Sequence, residues 1–408
     1  MIKPDKFNKF NKFKNIIDFI NNSSIEKIVL ELKNILNEYS SNDQIIGKGY
    51  FGIAKISKVC ETMDITLDKS LKISIPVIVK ETREDKFVEL NMKNIDNILY
   101  IHSEGSILCE IILLIYTLDL WYKQISPHLP ILINYGKTNN DKINRLITEK
   151  QGLDKNIYFE VNRLYGLERG DFPWVNIKPI GKVIYDSSIA TLSDLIKYIK
   201  LKKEGKYIIL PNGNKCNIIK LLDYLSISYI HTHQLLKDNN IGLWDMHASN
   251  TFIHWLNNES YMGNKNISKI KNIVYKINNK YIKIKTFGLI LKMGDIGDAC
   301  MKIKNDVYLY GVCVNFDQNY KLIKEVLKPN FPSIIEILCE IRDNIPFYIY
   351  KKTVAFNILS NKPYDEDYIG LSHMYHINNK YLTGSELLDK YSKYYIDKPK
   401  NSKKTLII

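Results

Sequence analysis

The sequence predicts an α+β chain in two parts, a small β-rich unit followed by a larger helical one. Between Ile45 and Lys80 the apolar residues alternate or run in short β-branched stretches bounded by turn residues, as in strands. From about Ser103 to Lys123, and again beyond Ser187, they recur at helical spacing. At 408 residues, 45% apolar and 25% charged, the chain is long enough to bury more than one core.

The first stretch, Lys6 to Lys14, repeats Phe7, Phe10 and Phe13 and continues through Ile16, Ile17 and Ile20, which aligns them on one face of a basic amphipathic helix. Docking of that face on the chain's own surface is favoured over peripheral membrane contact by residues 6–20, because short amphipathic helices mostly bury against protein. Residues 45–56 and 74–80 follow as strands of a small antiparallel sheet, then a helix to about Lys123, ending near Ser126-Pro127. Strands are expected at 130–135 and 177–185, with the polar stretch 137–176 between them as an insertion. Helices are expected at 191–203, 217–237, 318–328 and 333–343, with a strand pair near Tyr275 to Lys292. The resulting division is an extension over 1–44, a first lobe over 45–186 and a second over 187–408.

Several classes are disfavoured by composition. The six cysteines are scattered without a C-x-x-C pair, against a zinc ribbon or a disulfide framework and in favour of reduced thiols in an intracellular protein. The longest apolar run, Ile111 to Leu118, falls short of the roughly 20 residues of a membrane-spanning helix, and the amino terminus has no signal-peptide core. Net charge is +14, yet the excess is spread along the chain without interleaved aromatics, so no specific nucleic-acid partner is expected.

The chemistry-bearing residues come in chain order. Gly47-Lys-Gly49-Tyr-Phe-Gly52 lies between two strands, where glycines let backbone amides close over phosphates. Alone it is equally a Gly-rich hairpin, and a dinucleotide fold is disfavoured because a strand follows Gly52. Val77-Ile-Val-Lys80 ends on a lysine that needs a carboxylate. Glu110, at an apolar helix face where an unpaired charge would be costly, is preferred, with Glu104 as competitor. Asp245 stands five residues before Asn250, and Gly294-Asp295-Ile296-Gly297 follows. A turn Asp and a capping Asn explain either residue of the first pair, but not both beside the later Gly-Asp-Ile-Gly.

Taken jointly, these motifs resemble the catalytic and metal loops of eukaryotic-type protein kinases, H-R-D-x-x-x-x-N and D-F-G, together with their Gly-rich loop and V-A-I-K strand. Ile125-Ser-Pro-His-Leu-Pro130 and the run Tyr275 to Gly288 are similar to segments in divergent Ser/Thr kinases of large nucleocytoplasmic DNA viruses. The resemblance covers about residues 45–315. It implies a bilobal kinase-like fold, ATP and Mg2+ as cofactors, a protein substrate, and an intracellular setting in host cytoplasm or virion. It implies Asp245 as catalytic base, and Asn250 and Asp295 as metal ligands. Gly47, Gly49, Gly52, Ala54, Ile78, Lys80, Glu110 and Phe252 are then placed around the nucleotide. Ala54 and Ile78 stand where the family has valine and alanine against the base, one smaller and one larger. Leu114, Leu243 and Ile296 match an apolar stack between the lobes.

Departures from the family pattern bear on function. Leu243 and Trp244 replace the H-R pair, leaving no arginine there to receive an activation-loop phosphate. Asp306-Val-Tyr-Leu-Tyr-Gly311 resembles the D-x-W-S-x-G start of the next large helix only eleven residues after Asp295, which implies a shortened activation segment. His247, two residues after Asp245, gives a D-x-H-x-x-N also seen in small-molecule kinases of the aminoglycoside and choline type. A Ser/Thr protein kinase is the first reading, a small-molecule or lipid kinase the second, and a catalytically silent binding module the third.

Overall fold

A computed structural model describes residues 44–48, 52–66, 69–83, 90–103, 107–130, 132–137, 143–149, 191–243, 247–256, 261–262, 265–267, 269–294, 296, 299–304, 307–310, 341, 345–354, 384–399, 402 and 404–408. It is a mixed helix-and-strand architecture built on small sheets. The first sheet comprises β1 (Gln44–Lys48), β2 (Gly52–Thr66) and β3 (Lys69–Arg83), joined later in the chain by two further strands. A hairpin follows, β4 (Leu90–Ile95) and β5 (Ile98–Ser103). Asp96 and Asn97 turn it with φ of 53° and 62°, the two positive values that a type I′ turn needs. Helix α1 (Ile107–Tyr122) buries Leu113, Leu114 and Ile115 and packs on β6 (Leu132–Lys137) and β7 (Ile143–Glu149). Strands β6 and β7 close the first sheet in the antiparallel order β1-β2-β3-β7-β6.

The second half begins at α2 (Leu192–Lys202), started by a capping box in which Thr191 Oγ1 accepts from Asp194 N and Asp194 Oδ2 accepts from Thr191 N. A short hairpin, β8 (Tyr207–Ile209) and β9 (Lys215–Asn217), leads into α3 (Ile218–Asp238). Asn217 caps α3 by accepting from Ile219 N and Lys220 N. Apolar residues lie on all sides of α3, so it is buried as the central helix of the core. It ends at Asn240, whose φ of 59° is the left-handed conformation that asparagine tolerates past a helix.

Strands β10 (Ile241–Gly242), β11 (Thr251–Trp255), β12 (Tyr261–Met262), β13 (Lys265–Asn266), β14 (Asn272–Ile277), β15 (Lys280–Lys285) and β16 (Leu289–Met293) follow. Beyond residue 299 come β17 (Cys300–Lys304) and β18 (Val307–Tyr310), and then the short helices α4 (Phe347–Tyr350) and α5 (Gly384–Asp389). β19 (Tyr395–Ile396) and β20 (Thr405–Ile407) flank the 14–15 hairpin in a four-stranded sheet ordered β19-β15-β14-β20. A further sheet, β10-β17-β18-β5-β4, ties the early hairpin to the strands around residues 241 and 300. No helix among the described residues is long and apolar enough to cross a membrane.

Several expectations need correction. Residues 143–149 are not part of an irregular insertion: β7 pairs with β3 along its whole length. Its apolar residues are interrupted by Asn144 and Arg145, which hid the strand, and 150–190 lie outside the described residues. Residues 307–310 do not begin a helix. They form β18, parallel to β5, with Tyr308 stacked on Tyr100 at 5.5 Å. The β-branched and aromatic residues of Val-Tyr-Leu-Tyr suit a half-buried sheet, so the eleven-residue count behind a shortened activation segment loses its end point. Among the described residues the second half is also richer in strand than expected, with two long helices amid five sheets, one of them shared with the first half. The amphipathic 6–20 segment, strand 177–185, helix 318–328 and nearly all of 333–343 lie outside the described residues.

Candidate active site

Two chain segments, 243–250 and 294–299, are fastened to each other at both ends. On one side β10 pairs with β17 through Gly242↔Cys300. On the other β11 pairs with β16 through Thr251↔Met293. These segments carry Asp245 and Asn250 in one case and Asp295 in the other; Asp245 and Asp295 lie outside the described residues. Their described neighbours make the junction tight. Gly294 N donates to Asn250 O at 2.9 Å, so Asp295 is attached to the residue that bonds Asn250. Within the first segment His247 caps the 3-10 turn Ala248–Asn250: its Nδ1 accepts from Ser249 N at 3.2 Å and its carbonyl accepts from Asn250 N and Thr251 Oγ1. That cap gives His247 a local structural task.

Phe252 lies half-buried over the start of the second segment. A Cβ at Gly294 would stand 2.0 Å from Phe252 Cε2 and 2.3 Å from Cδ2. Gly294 has no positive φ, so glycine is required there by the ring and not by the backbone. On its other side Phe252 bridges Thr191, the cap of α2.

The strand leading to Asp295 is held by a buried polar chain that motif reading missed. Tyr224 on α3 donates to Leu289 O at 2.8 Å, and His128, just after α1, meets Leu291 O through Nδ1 at 2.8 Å. A carbonyl can only accept, so Nδ1 carries the proton and Nε2 is an acceptor. Tyr275, 3.0 Å from Nε2, must then donate its hydroxyl hydrogen there, and Ser228, 2.7 Å from the Tyr275 oxygen, must donate to Tyr275. The His128 carbonyl in turn accepts from Met293 N at 2.9 Å. Burial pushes His128 down to about 3 and the adjacent His231, whose ring tilts against Tyr275 at 4.7 Å, down to about 4. Both are therefore neutral at physiological pH, as the hydrogen-bond assignment requires. His128 and Tyr275 fall in the segments 125–130 and 275–288 singled out in the sequence, but nothing there pairs the two.

The positions expected around a nucleotide are placed by register. Ala54 pairs with Lys80, and Ile78 pairs with Ile56, so positions 54, 78 and 80 share one face of the first sheet. Gly47 ends opposite Ala54 and Gly52 opposite Thr82, and Gly49 lies outside the described residues. Glu110 is 6% exposed on α1, whose neighbouring strand β7 pairs Leu146 with Lys80. The Lys80 side chain and Glu104 fall outside the described residues, so a Lys80–Glu110 pair is not among the described contacts. Leu114, Leu243 and Ile296 are all buried members of one core. Cys216 and Cys300 are buried thiols that take part in no disulfide.

No known family profile matches the chain, and no curated protein matches it. Among solved structures it is similar to one described as the structure of vaccinia related kinase 3, at 9% identity and a TM-score of 0.18, covering 55% of this chain and 51% of that one. The chain thus spans about half the length of that structure. At this identity and score the likeness assigns neither the fold nor the activity.

Proposed function

We propose that the chain is an ATP- and magnesium-dependent phosphotransferase that phosphorylates Ser or Thr hydroxyls of a protein substrate. The observation that supports this most is the double fastening of segments 243–250 and 294–299, with the Gly294–Asn250 bond between them. Phosphoryl transfer asks a protein mainly for positioning and charge stabilisation, which two clamped loops provide.

In this reading Asp245 orients the attacking hydroxyl and accepts its proton as the γ-phosphoryl leaves ATP. Asn250 and Asp295 offer an amide oxygen and a carboxylate, hard donors that suit magnesium. When bound, magnesium supplies neutralisation of the phosphate charge. Lys80, on the same sheet face as Ala54 and Ile78, grips the α and β phosphates, with Glu110 as the carboxylate that holds it. The Gly47–Gly52 turn offers backbone amides to the same phosphates.

The test is transfer of labelled phosphate from ATP by the purified chain with magnesium, offering casein-like and basic proteins beside aminoglycosides and choline. Labelling of protein alone is expected. Labelling of the small molecules alone moves the assignment to the aminoglycoside and choline type. Magnesium-dependent nucleotide binding without any transfer leaves a silent binding module. Asn250→Ala and Asp295→Ala should each weaken magnesium-dependent nucleotide binding in calorimetry, and titrations that overlay the wild type would remove both from metal binding.

A further inference from the structure

The net charge of +14 is unevenly distributed once the chain is folded. Residues 260–294 contain eight lysines and no aspartate or glutamate, and residues 398–408 contain four lysines and again no acid. The fold joins these two remote stretches. β20 pairs in parallel with β14 through Asn272↔Thr405, Ile273↔Leu406 and Val274↔Ile407. Lys271 N donates to Lys404 O at 2.9 Å, Thr286 N donates to Lys271 O at 3.0 Å, and Lys285 pairs with Asn272. Lys271, Lys285 and Lys404 thereby meet at one end of the β19-β15-β14-β20 sheet, with Lys269 two residues before Lys271. Lys283 and Lys276 lie further along β15 and β14.

All six lysines are exposed, and none has an ion-pair partner among the described residues. The acids described beside this sheet lie at its opposite end, where Lys280 bonds Asp389 at 3.0 Å, Lys393 bonds the buried Asp223 at 2.6 Å and Asp397 follows β19. The inner side of the sheet is committed to the core through Ile273, Tyr275, Ile282, Ile284 and Leu406.

We propose that this lysine-rich end of the sheet binds the phosphate backbone of a nucleic-acid duplex without reading its sequence. The inference does not depend on the phosphotransferase reading. Both acid-free stretches lack arginine, so the face has point charges but no planar forks for bidentate base recognition. Among the described residues it offers no fully exposed aromatic platform of the kind single strands stack upon, since Tyr281 and Tyr395 are half-buried. None of the exposed large apolar residues Ile125, Leu201, Tyr207, Ile209 and Tyr348 lies on it, which disfavours insertion into a lipid surface.

The experiment is fluorescence anisotropy of a labelled duplex of about 20 base pairs with the full chain, across a sodium chloride series. The variant replaces Lys271, Lys283, Lys285 and Lys404 with Gln. A charge-matched control replaces the exposed Lys200, Lys206, Lys215 and Lys220 with Gln, and thermal melting confirms that both variants fold. The wild type should bind with a log–log salt slope of about −4 or steeper. The sheet variant should lose about three to four from the magnitude of that slope and more than ~30-fold in affinity near 0.1 M salt, while the control stays within ~3-fold. Equal losses in both variants would reduce the effect to net charge and overturn the proposal. So would tighter binding of a single strand, or retention on polyglutamate or phosphatidylserine vesicles in place of the duplex.

Discussion

Gly294→Ala is the substitution that most sharply probes the junction beside Asp295. The new methyl would start 2.0 Å from Phe252 Cε2 and 2.3 Å from Cδ2, where carbon atoms prefer about 3.5–4.0 Å. The ring must therefore retreat by about 1.5 Å, or the backbone must give up the Gly294–Asn250 hydrogen bond. Overpacking of this kind costs about 1–3 kcal/mol, and the lost bond about 1 kcal/mol more. Urea denaturation should show a loss of about 1–4 kcal/mol, the upper end where ring and backbone both shift, and calorimetry a more than ~10-fold weaker magnesium-dependent binding of ATP. Phe252→Ala removes the obstacle. The double variant should then be no less stable than Phe252→Ala alone, a coupling of at least ~1 kcal/mol in the cycle. Additive losses would show that ring and glycine do not share the space, and the packing argument at this junction would be wrong.

Acid should destabilise the fold before carboxylates titrate. His128 and His231 have folded pKa values of about 3 and about 4, below the usual 6.5, and burial holds His233 well below it too. The unfolded chain takes up these protons first, so their contribution is fully present above pH 6.5 and lost as pH falls toward 4 and then 3. At pH 5 each of His128 and His231 costs about 2 kcal/mol, and a urea midpoint unchanged between pH 7 and pH 5 would contradict their neutral burial. Tyr275→Phe leaves His128 Nε2 without its donor and should cost about 1–3 kcal/mol, with a non-additive Ser228→Ala double variant. A loss under ~0.5 kcal/mol would mean the chain of hydroxyls is not formed. In the proposed nucleotide pocket Ala54→Val should weaken ATP binding and added Ile78→Ala should restore it, since both positions share a sheet face. Additive losses in calorimetry would separate them.

Elements whose own residues dictate them are legible in the sequence. α3 is apolar around its whole circumference and capped by Asn217, so periodicity and one side chain define it within a residue. α2 is bracketed equally well by Thr191 and Asp194. The β4–β5 hairpin is not among the elements expected from the sequence, although Asp96-Asn97 is a turn signal between apolar residues. What local pattern cannot supply is partnership across long separations. Val307–Tyr310 satisfies a helix-start motif and a strand equally, and its pairing with residues about 200 positions earlier decides the matter. The lysine face is similarly invisible, because its two halves are joined only by the parallel β14–β20 ladder. At the site, the spacing of Asp245, Asn250 and Asp295 prompts the proposed chemistry, whereas the fastening by Gly242↔Cys300 and Thr251↔Met293 and the support from His128 exist only in the folded chain.

The claim that this junction transfers phosphate rests on Asp245 as the base, and it is tested by comparing transfer of labelled γ-phosphate by the wild type and by Asp245→Asn at saturating magnesium and ATP. Loss of a positioned base predicts a fall in turnover of at least ~10²-fold, with calorimetry showing nucleotide affinity within ~3-fold of wild type. Wild-type turnover in Asp245→Asn would contradict the account at its centre.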